Sequence, residues 1–378
     1  MLKIGIVCPY DIFAGGGVQE QVLALNKIYN QSGMKSTIIT PRPKGYADDE
    51  RREDIIFLGR SRPFRSMHTN SHVSASIDTD KIDQVLEENQ FDILHFHEPW
   101  IPIMSRQVLT RSRSINFATF HAAVPDLIMA KTIEKVFTPY TKSILKYIDV
   151  MTAVSPAGAT YARSLTHRNL VIIPNGIDLK RYQEQPVPDL SHSTKKRIFY
   201  VGRLEKRKGV KYLVDAFADL RERRSDVELI IAGAGPELDK LQDKVKEDKI
   251  PDVSFVGRIS DQEKIEYLKS SHIFCSPALY GESFGIVLLE AMASGTIVVA
   301  GDNSGYKEVL NGDGRMSLVD PKQTNEFSRR LELLIDSKNM QKVWKDWAHS
   351  EVTKYDFPVI ARSYINLYKM AYEKKQKT

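Results

Sequence analysis

Cysteine is nearly absent from this chain: its 378 residues include two, Cys8 and Cys275. Both lie in apolar, strand-like runs, so a disulfide framework is excluded and two buried thiols of a reduced, cytoplasmic protein are expected. Long hydrophobic runs are also lacking. The apolar stretch Ile4 to Cys8 is far shorter than a signal-peptide core or a membrane span and leads straight into Pro9, so it reads as a first strand. No other segment has the length to cross a bilayer. Low-complexity tracts and short repeats are missing, and no zinc-ligand spacing occurs. Neither Gly15-Gly16-Gly17 nor Gly233-Ala234-Gly235-Pro236 completes a Gly-x-Gly-x-x-Gly dinucleotide fingerprint.

What is present is the composition of a folded protein, 42% hydrophobic and 27% charged with 21 Gly and 17 Pro. The length suits two domains of about 150 to 200 residues each. A formal charge of +6 favours anionic partners, among which phosphate-bearing substrates, nucleic acids and acidic membranes are not separated by charge alone.

Short β-rich runs alternate with helical stretches, the pattern of parallel sheets with crossover helices. In the first half, strands are expected at Lys3 to Cys8, Lys35 to Thr40, Ile55 to Leu58, Ile93 to His97, Asn116 to Phe120, Val150 to Val154 and Leu170 to Ile173. The pattern restarts at Arg197 to Val201, Glu228 to Ala232, Val253 to Val256, His272 to Ser276 and Thr296 to Ala300. The turn cluster Pro174-Asn175-Gly176, with Pro186 and Pro188, puts the boundary between about Ile173 and Ser193. A helical C-terminal region interrupted by Pro358 is expected to return to the first half. The domains are then 1–173 plus 358–378, and 174–357. Asp78-Thr79-Asp80 reads as a helix N-cap rather than a metal-binding pair. In His95-Phe96-His97-Glu98, strand alternation puts the two histidines on one face, so a strand end is expected there.

The most informative segment runs from Gly281-Glu282-Ser283-Phe284-Gly285 through Glu290 to Gly295. Its two glutamates bracket the apolar run Ile286 to Leu289, with Glu282 in a loop and Glu290 inside the following helix. Eight helical residues rise about 12 Å and turn through roughly 80°, so the carboxylates can reach opposite ends of one extended ligand. The free backbone donors near Gly285 and Ile286 suit a diphosphate. Read alone, the segment is better taken as a surface-capped core helix with two incidental glutamates.

This segment resembles the glutamate-x7-glutamate motif of the retaining GT-B glycosyltransferases of family four. Also similar to that family are Val201-Gly202-Arg203-Leu204-Glu205 with Lys206-Arg207-Lys208-Gly209, Pro174-Asn175-Gly176-Ile177-Asp178, and Ile231-Ala232-Gly233-Ala234-Gly235-Pro236-Glu237. Cys8-Pro9-Tyr10, Gly16-Gly17-Val18-Gln19, His97-Glu98-Pro99, Ala118-Thr119-Phe120-His121 and Tyr355-Asp356-Phe357 look closest to the bacterial phosphatidylinositol mannosyltransferases.

The resemblance implies a GT-B fold, two Rossmann-like domains facing across a cleft, with the last helix crossing back to the first. It implies Arg203 and Lys208 on the donor diphosphate, Glu282 on sugar hydroxyls, Glu290 on the ribose, and His121 at the reaction centre. Gly16 and Gly17 would line the donor loop, with Ser283, Phe284, Gly285 and Ile286 at the helix start. Ile259, Asp261 and Lys264 would meet the base, where a carboxylate suits guanine. Tyr10, Gln19, Arg65, Asn70, His121 and Arg207 match the acceptor side.

In the retaining front-face scheme usually proposed for this family, the departing phosphate deprotonates the acceptor, so His121 is catalytic by position. The donor is then GDP-mannose and the acceptor an inositol lipid, with no tightly bound cofactor. A divalent cation would act as a stimulant without a dedicated site, and no nucleic-acid partner is expected. Arg60, Arg62 and Arg65 around Phe64 form a cationic loop suited to an anionic inner membrane face, each basic residue there contributing about 1 kcal/mol. Asp78, Asp80, Asp83, Glu87 and Glu88 make the following helix acidic where those mannosyltransferases carry a basic one, so any peripheral attachment is weak. Two alternatives stay open: a family-four transferase using a UDP-sugar on a lipid or soluble polyol, and a nucleotide-sugar or nucleic-acid binding protein without turnover.

Overall fold

A computed structural model describes residues 1–44, 46, 52–66, 69–74, 78–101, 103–121, 138–186 and 195–377, with residues 60–66 and 69–74 described by backbone alone. Pro188 and Ser193 of the expected linker, and Thr378, lie outside the described residues. The chain divides into two units, Met1–Gly176 with Phe357–Thr378, and Ile177–Asp356.

The first unit is built on β1 (Lys3–Val7), β2 (Lys35–Arg42), β3 (Ile55–Ser66), β4 (Thr69–Ser74), β5 (Ile93–His97), β6 (Ile115–Phe120), β7 (Val150–Ala153) and β8 (Leu170–Ile172). Their order is β4-β3-β2-β1-β5-β6-β7-β8, parallel except for the antiparallel β3–β4 pair. The strands are apolar on both faces because helices cover both. Ile4, Ile6, Ile93 and Phe117 join one core cluster with the Gly17–Gln31 and Phe357–Gln376 helices, while Val7, Leu94, Phe96 and Phe120 join another. Pro358 sits in the first turn of the last helix, where its missing N–H costs nothing. Asp78 caps the Thr79–Asn89 helix by accepting from the Asp80 backbone N–H at 3.0 Å.

The stretch Arg60 to Arg65, expected as a loop, is instead part of strand β3. β2 pairs with β3 as far as Arg60, and from Ser61 onward β3 pairs with β4. A ladder of Ser, Arg, Asn and His carries no apolar alternation, which is why the sequence pattern did not reveal it. The short β14 (Leu318–Val319) was also unforeseen. The other expected strands are present, with ends within about two residues.

The second unit has β9 (Lys196–Val201), β10 (Val227–Ala232), β11 (Val253–Gly257), β12 (Ile273–Ser276), β13 (Ile297–Gly301) and β14, in the order β11-β10-β9-β12-β13-β14, all parallel. This is the doubly wound 3-2-1-4-5-6 arrangement, whose ligands bind beyond the carboxyl ends of the strands where the order reverses. Here that point falls between β9 and β12; in the first unit the reversal falls between β1 and β5. Gly233, at φ 135°, lies against the Gly202 carbonyl, and Gly235 against that of Leu204, so a Cβ at either would collide with backbone. These glycines pack the loop after β10 onto the loop after β9, which explains a Gly-x-Gly without a dinucleotide fingerprint.

A polar chain threads the core of the first unit. His95 Nδ1 lies 2.5 Å from the Tyr368 hydroxyl and its Nε2 2.6 Å from Thr119 Oγ1, which is itself 2.6 Å from Thr152 Oγ1. Tyr364 and Tyr368, four residues apart on one helix face, thereby dock the last helix on β5 and β6. Burial, with a smaller contribution from His121, pushes the His95 imidazole down from 6.5 to about 3. Below pH 6.5 the unfolded chain therefore takes up a proton that the folded one refuses, so stability is lost as pH falls from there toward 3. His95 alone should cost about 2 kcal/mol at pH 5 relative to pH 7.5. Thermal unfolding at the two pH values checks this, with a smaller drop expected for His95→Gln; a wild-type melting temperature insensitive to pH would contradict it.

Candidate active site

In the second unit the loop after β9 carries Arg203 into solvent and continues into a single turn, Lys206–Lys208, ended by Gly209. Glu205 binds both arginines of this segment, Arg203 Nη1 at 3.1 Å and Arg207 Nε at 3.0 Å. Arg207 Nη1 and Lys208 Nζ each lie 2.7 Å from Glu282 Oε1. The Arg207 and Glu282 side chains are 9% and 13% exposed, so salt screens this contact little. The Leu279 backbone N–H donates to the Arg207 carbonyl at 2.8 Å and ties the loop after β12 to the loop after β9. Three cations thus face two carboxylates, leaving a net positive patch at the strand ends.

From Glu282 the chain enters the Ile286–Ala293 helix through Gly285, whose φ is 112°. A Cβ at Gly285 would lie 2.8 Å from the Tyr306 ring, so glycine is required twice over. The first N–H groups of this helix have no intrahelical partner, a good cradle for phosphate oxygens. Four residues into the helix, buried Glu290 accepts from the Tyr182 hydroxyl at 2.8 Å and from Lys264 Nζ at 2.7 Å. Lys264 is 3.5 Å from Asp261, and Arg181 is 2.9 Å from Asp261. Burial opposes ionisation of Asp261, yet Arg181 and Lys264 outweigh it and hold the carboxyl below its ordinary value. The helix carrying both residues, Asp261–Lys269, starts in a capping box between Ser260 and Glu263, with half-buried Ile259 just ahead of it.

Glu282 and Glu290 therefore sit in two separate charge clusters of one unit, one beside Arg203, Arg207 and Lys208, the other beside Lys264 and Tyr182. Ser283, Phe284 and Gly285 connect them. Arg207, carried over as an acceptor contact, is a buried member of the first cluster.

In the first unit the loop after β1 holds Gly15 at φ 73° and Gly16 at φ 136°, the latter capping the Gly17–Gln31 helix. Gln19 Nε2 donates back to the Asp11 carbonyl at 3.4 Å, and a Cβ on Gly16 would lie 2.7 Å from Gln19 Oε1. The Tyr10 carbonyl accepts from Thr40 Oγ1 at 2.7 Å, and burial first, then nearby Glu98, pushes the Tyr10 phenol well up. His121 follows β6 directly. Its backbone N–H donates to Glu98 Oε1 at 2.8 Å, and its Nε2 lies 2.8 Å from His97 Nδ1. Burial lowers the His121 imidazole to about 4, against the opposing influence of Asn175, and drives His97 well below its ordinary value. Arg65 and Asn70 are cross-strand partners in the β3–β4 ladder, their side chains outside the described residues. Asn175, Arg181 and Tyr182 were not singled out as site residues by sequence, and Glu205, His97 and Glu98 were read as members of motifs without a role of their own. Among the described residues no group of three or more His, Cys, Asp or Glu side chains is placed to hold a metal ion.

Two family models divide the chain: Glycosyltransferase Family 4 matches residues 15–181 and Glycosyl transferases group 1 matches residues 182–350. The phosphatidyl-myo-inositol mannosyltransferase of Mycolicibacterium smegmatis is 30% identical over 372 residues, covering 97% of this chain and 93% of that protein. The protein of the same name from Propionibacterium freudenreichii is 28% identical, with 98% and 95% covered. Among solved structures, sucrose-phosphate synthase from Thermosynechococcus elongatus superposes with a TM-score of 0.77 at 18% identity, covering 99% of this chain and all of that one. Anabaena HepE, solved in complex with UDP-glucose, gives 0.73 at 16% identity, with 98% and 100% covered. Matched along both halves and by a relative of nearly its own length, the chain belongs to family 4 of the GT-B glycosyltransferases.

Proposed function

We propose that this glycosyltransferase moves a mannosyl group from GDP-mannose to an inositol phospholipid with retention of configuration, working at the surface of an anionic membrane. The observation that carries the reading is the cluster Arg203, Glu205, Arg207, Lys208 and Glu282, a net positive patch at the carboxyl edge of a doubly wound sheet beside a glycine-capped helix start. Similarity over almost the whole chain to proteins named phosphatidyl-myo-inositol mannosyltransferase supports the sugar and the acceptor. Among the described residues no helix is long and apolar enough to cross a membrane, which is compatible with peripheral attachment.

In this reading the diphosphate lies on the Gly285–Ile286 helix start, with Arg203 and Lys208 on its oxygens. Negative charge grows on the leaving phosphate as the bond from C1 to the phosphate oxygen breaks, and a guanidinium and an ammonium already in place stabilise it. Lys208 bonds to Glu282, so in this reading it exchanges a carboxylate for a phosphate oxygen when the donor binds. Glu282 is then released to accept from sugar hydroxyls. The acceptor hydroxyl oxygen bonds to C1 on the face the phosphate leaves, and its proton passes to that phosphate. Glu290, fixed by Tyr182 and Lys264, receives the ribose hydroxyls, and the half-exposed Asp261 accepts from the guanine edge.

Two experiments test this reading. Titration with GDP and UDP should favour GDP by at least about ten-fold, the worth of one carboxylate-to-base pairing. In the same preparation, GDP-mannose and phosphatidylinositol vesicles should give a lipid heavier by one hexose; tight UDP binding with negligible GDP binding, or no such product, would overturn the proposal. The ion exchange at Lys208 predicts opposite effects of Glu282→Gln on binding and turnover. Removing the competing carboxylate should tighten GDP several-fold, while kcat falls about 100-fold. A variant that loses GDP affinity and turnover together, while remaining folded, would refute the exchange.

A further inference from the structure

Three buried imidazoles stand in a row at the carboxyl ends of β5 and β6. His95 and His97 have ring centroids 4.4 Å apart, and His97 and His121 5.0 Å. The first ring is satisfied on both nitrogens, by Tyr368 and Thr119. The second is not: His97 Nδ1 lies 2.8 Å from His121 Nε2, whereas His97 Nε2 meets no hydrogen-bond partner among the described residues. Behind the third ring, Glu98 accepts from the His121 backbone N–H, reaching it from a left-handed backbone, φ 50°, that a glutamate rarely adopts.

A neutral imidazole carries one N–H and one lone pair, and burial keeps all three rings neutral at pH 7. The contact between His97 and His121 therefore contains one proton, and whichever ring donates sets both tautomers. Were His121 the donor, His97 would carry its proton on Nε2, leaving a buried N–H with nothing to meet. With His97 as the donor, only a lone pair on Nε2 is unmatched, and His121 carries its proton on Nδ1. Orphaned buried N–H groups are the rarer of the two in proteins. The second arrangement also puts an N–H on the ring that Asn175 influences, and the Asn175 amide oxygen is buried with no hydrogen-bond partner among the described residues.

We propose that His97 is a positioning residue for glycosyl transfer: by donating Nδ1–H to His121 Nε2 it holds His121 as the neutral Nδ1–H tautomer, while Glu98 anchors the His121 main chain. His121 then has no lone pair free to take the acceptor proton. It can act only through its Nδ1–H and its backbone carbonyl, which leaves the departing phosphate to receive that proton. The inference rests on the reading of His121 as a group at the reaction centre.

The test is 15N spectroscopy of the histidine-labelled full-length protein, with His121→Gln used to assign the resonance. The wild type should show His121 protonated on Nδ1 and bare on Nε2. His97→Asn, whose amide N–H can replace Nδ1–H, should keep that pattern and most of kcat. His97→Leu should give mixed tautomers and a kcat lower by about ten-fold with little change in donor KM. His121 protonated on Nε2 in the wild type, or equal losses in the two variants, would overturn the proposal. Should the leucine variant fail to fold, the wild-type and asparagine spectra still decide. The spectra do not depend on turnover, so a failure of mannosyl transfer would be seen separately in the product assay.

Discussion

The Glu282 carboxylate is held by two cations, Arg207 and Lys208, that come from a loop about 75 residues earlier in the chain. Much of the second unit serves that contact. β9 and β12 are neighbours at the point where strand order reverses, so the loops leaving their ends lie side by side. The Leu279-to-Arg207 backbone bond and the close approach of Gly209 to the Pro277 carbonyl hold these two loops together, while Gly233 and Gly235 pack the loop after β10 onto the loop after β9. Glu205 completes the arrangement from below by binding Arg203 and Arg207. A carboxylate between two cations in a poorly hydrated loop is stable, yet it is also a stand-in for a phosphate, since it satisfies the same donors with less charge. Cations held in fixed positions are the form of preorganisation that electrostatic catalysis requires.

The first unit solves a different problem. Its histidines are not a charged cluster but a neutral one, kept so by burial under the last helix, with Tyr368 and Tyr364 closing the polar chain. Neutral rings in fixed tautomers contribute directed hydrogen bonds without the desolvation cost of a charge. The cluster of the second unit is thus ionic and that of the first neutral.

Much of this was legible in the sequence because the fold puts motif residues at strand ends, and strand ends are marked by where apolar runs stop. Arg203 and Lys208 follow β9, His121 follows β6, and after β12 Glu282 precedes the Ile286–Ala293 helix that carries Glu290. Their partners were harder to see. Tyr182 reaches Glu290 across 108 residues, and nothing in its local pattern distinguishes it from a tyrosine packing a short helix. Glu205 and His97 act by holding another side chain, so their role exists only once the loops are folded together. The β3–β4 pairing escaped for a physical reason as well: the sequence from Ser61 to Ser74 has no apolar alternation, and without it there is no period to read.

The most direct test of the account is a structure of the protein with GDP bound, refined well enough to place Lys208 and Glu282. With GDP bound, the Lys208 ammonium should leave Glu282 for an oxygen of the diphosphate, while Arg207 stays on both of its carboxylates. Lys208 still bonded to Glu282, with the diphosphate lodged away from Arg203 and the Gly285 helix start, would contradict it.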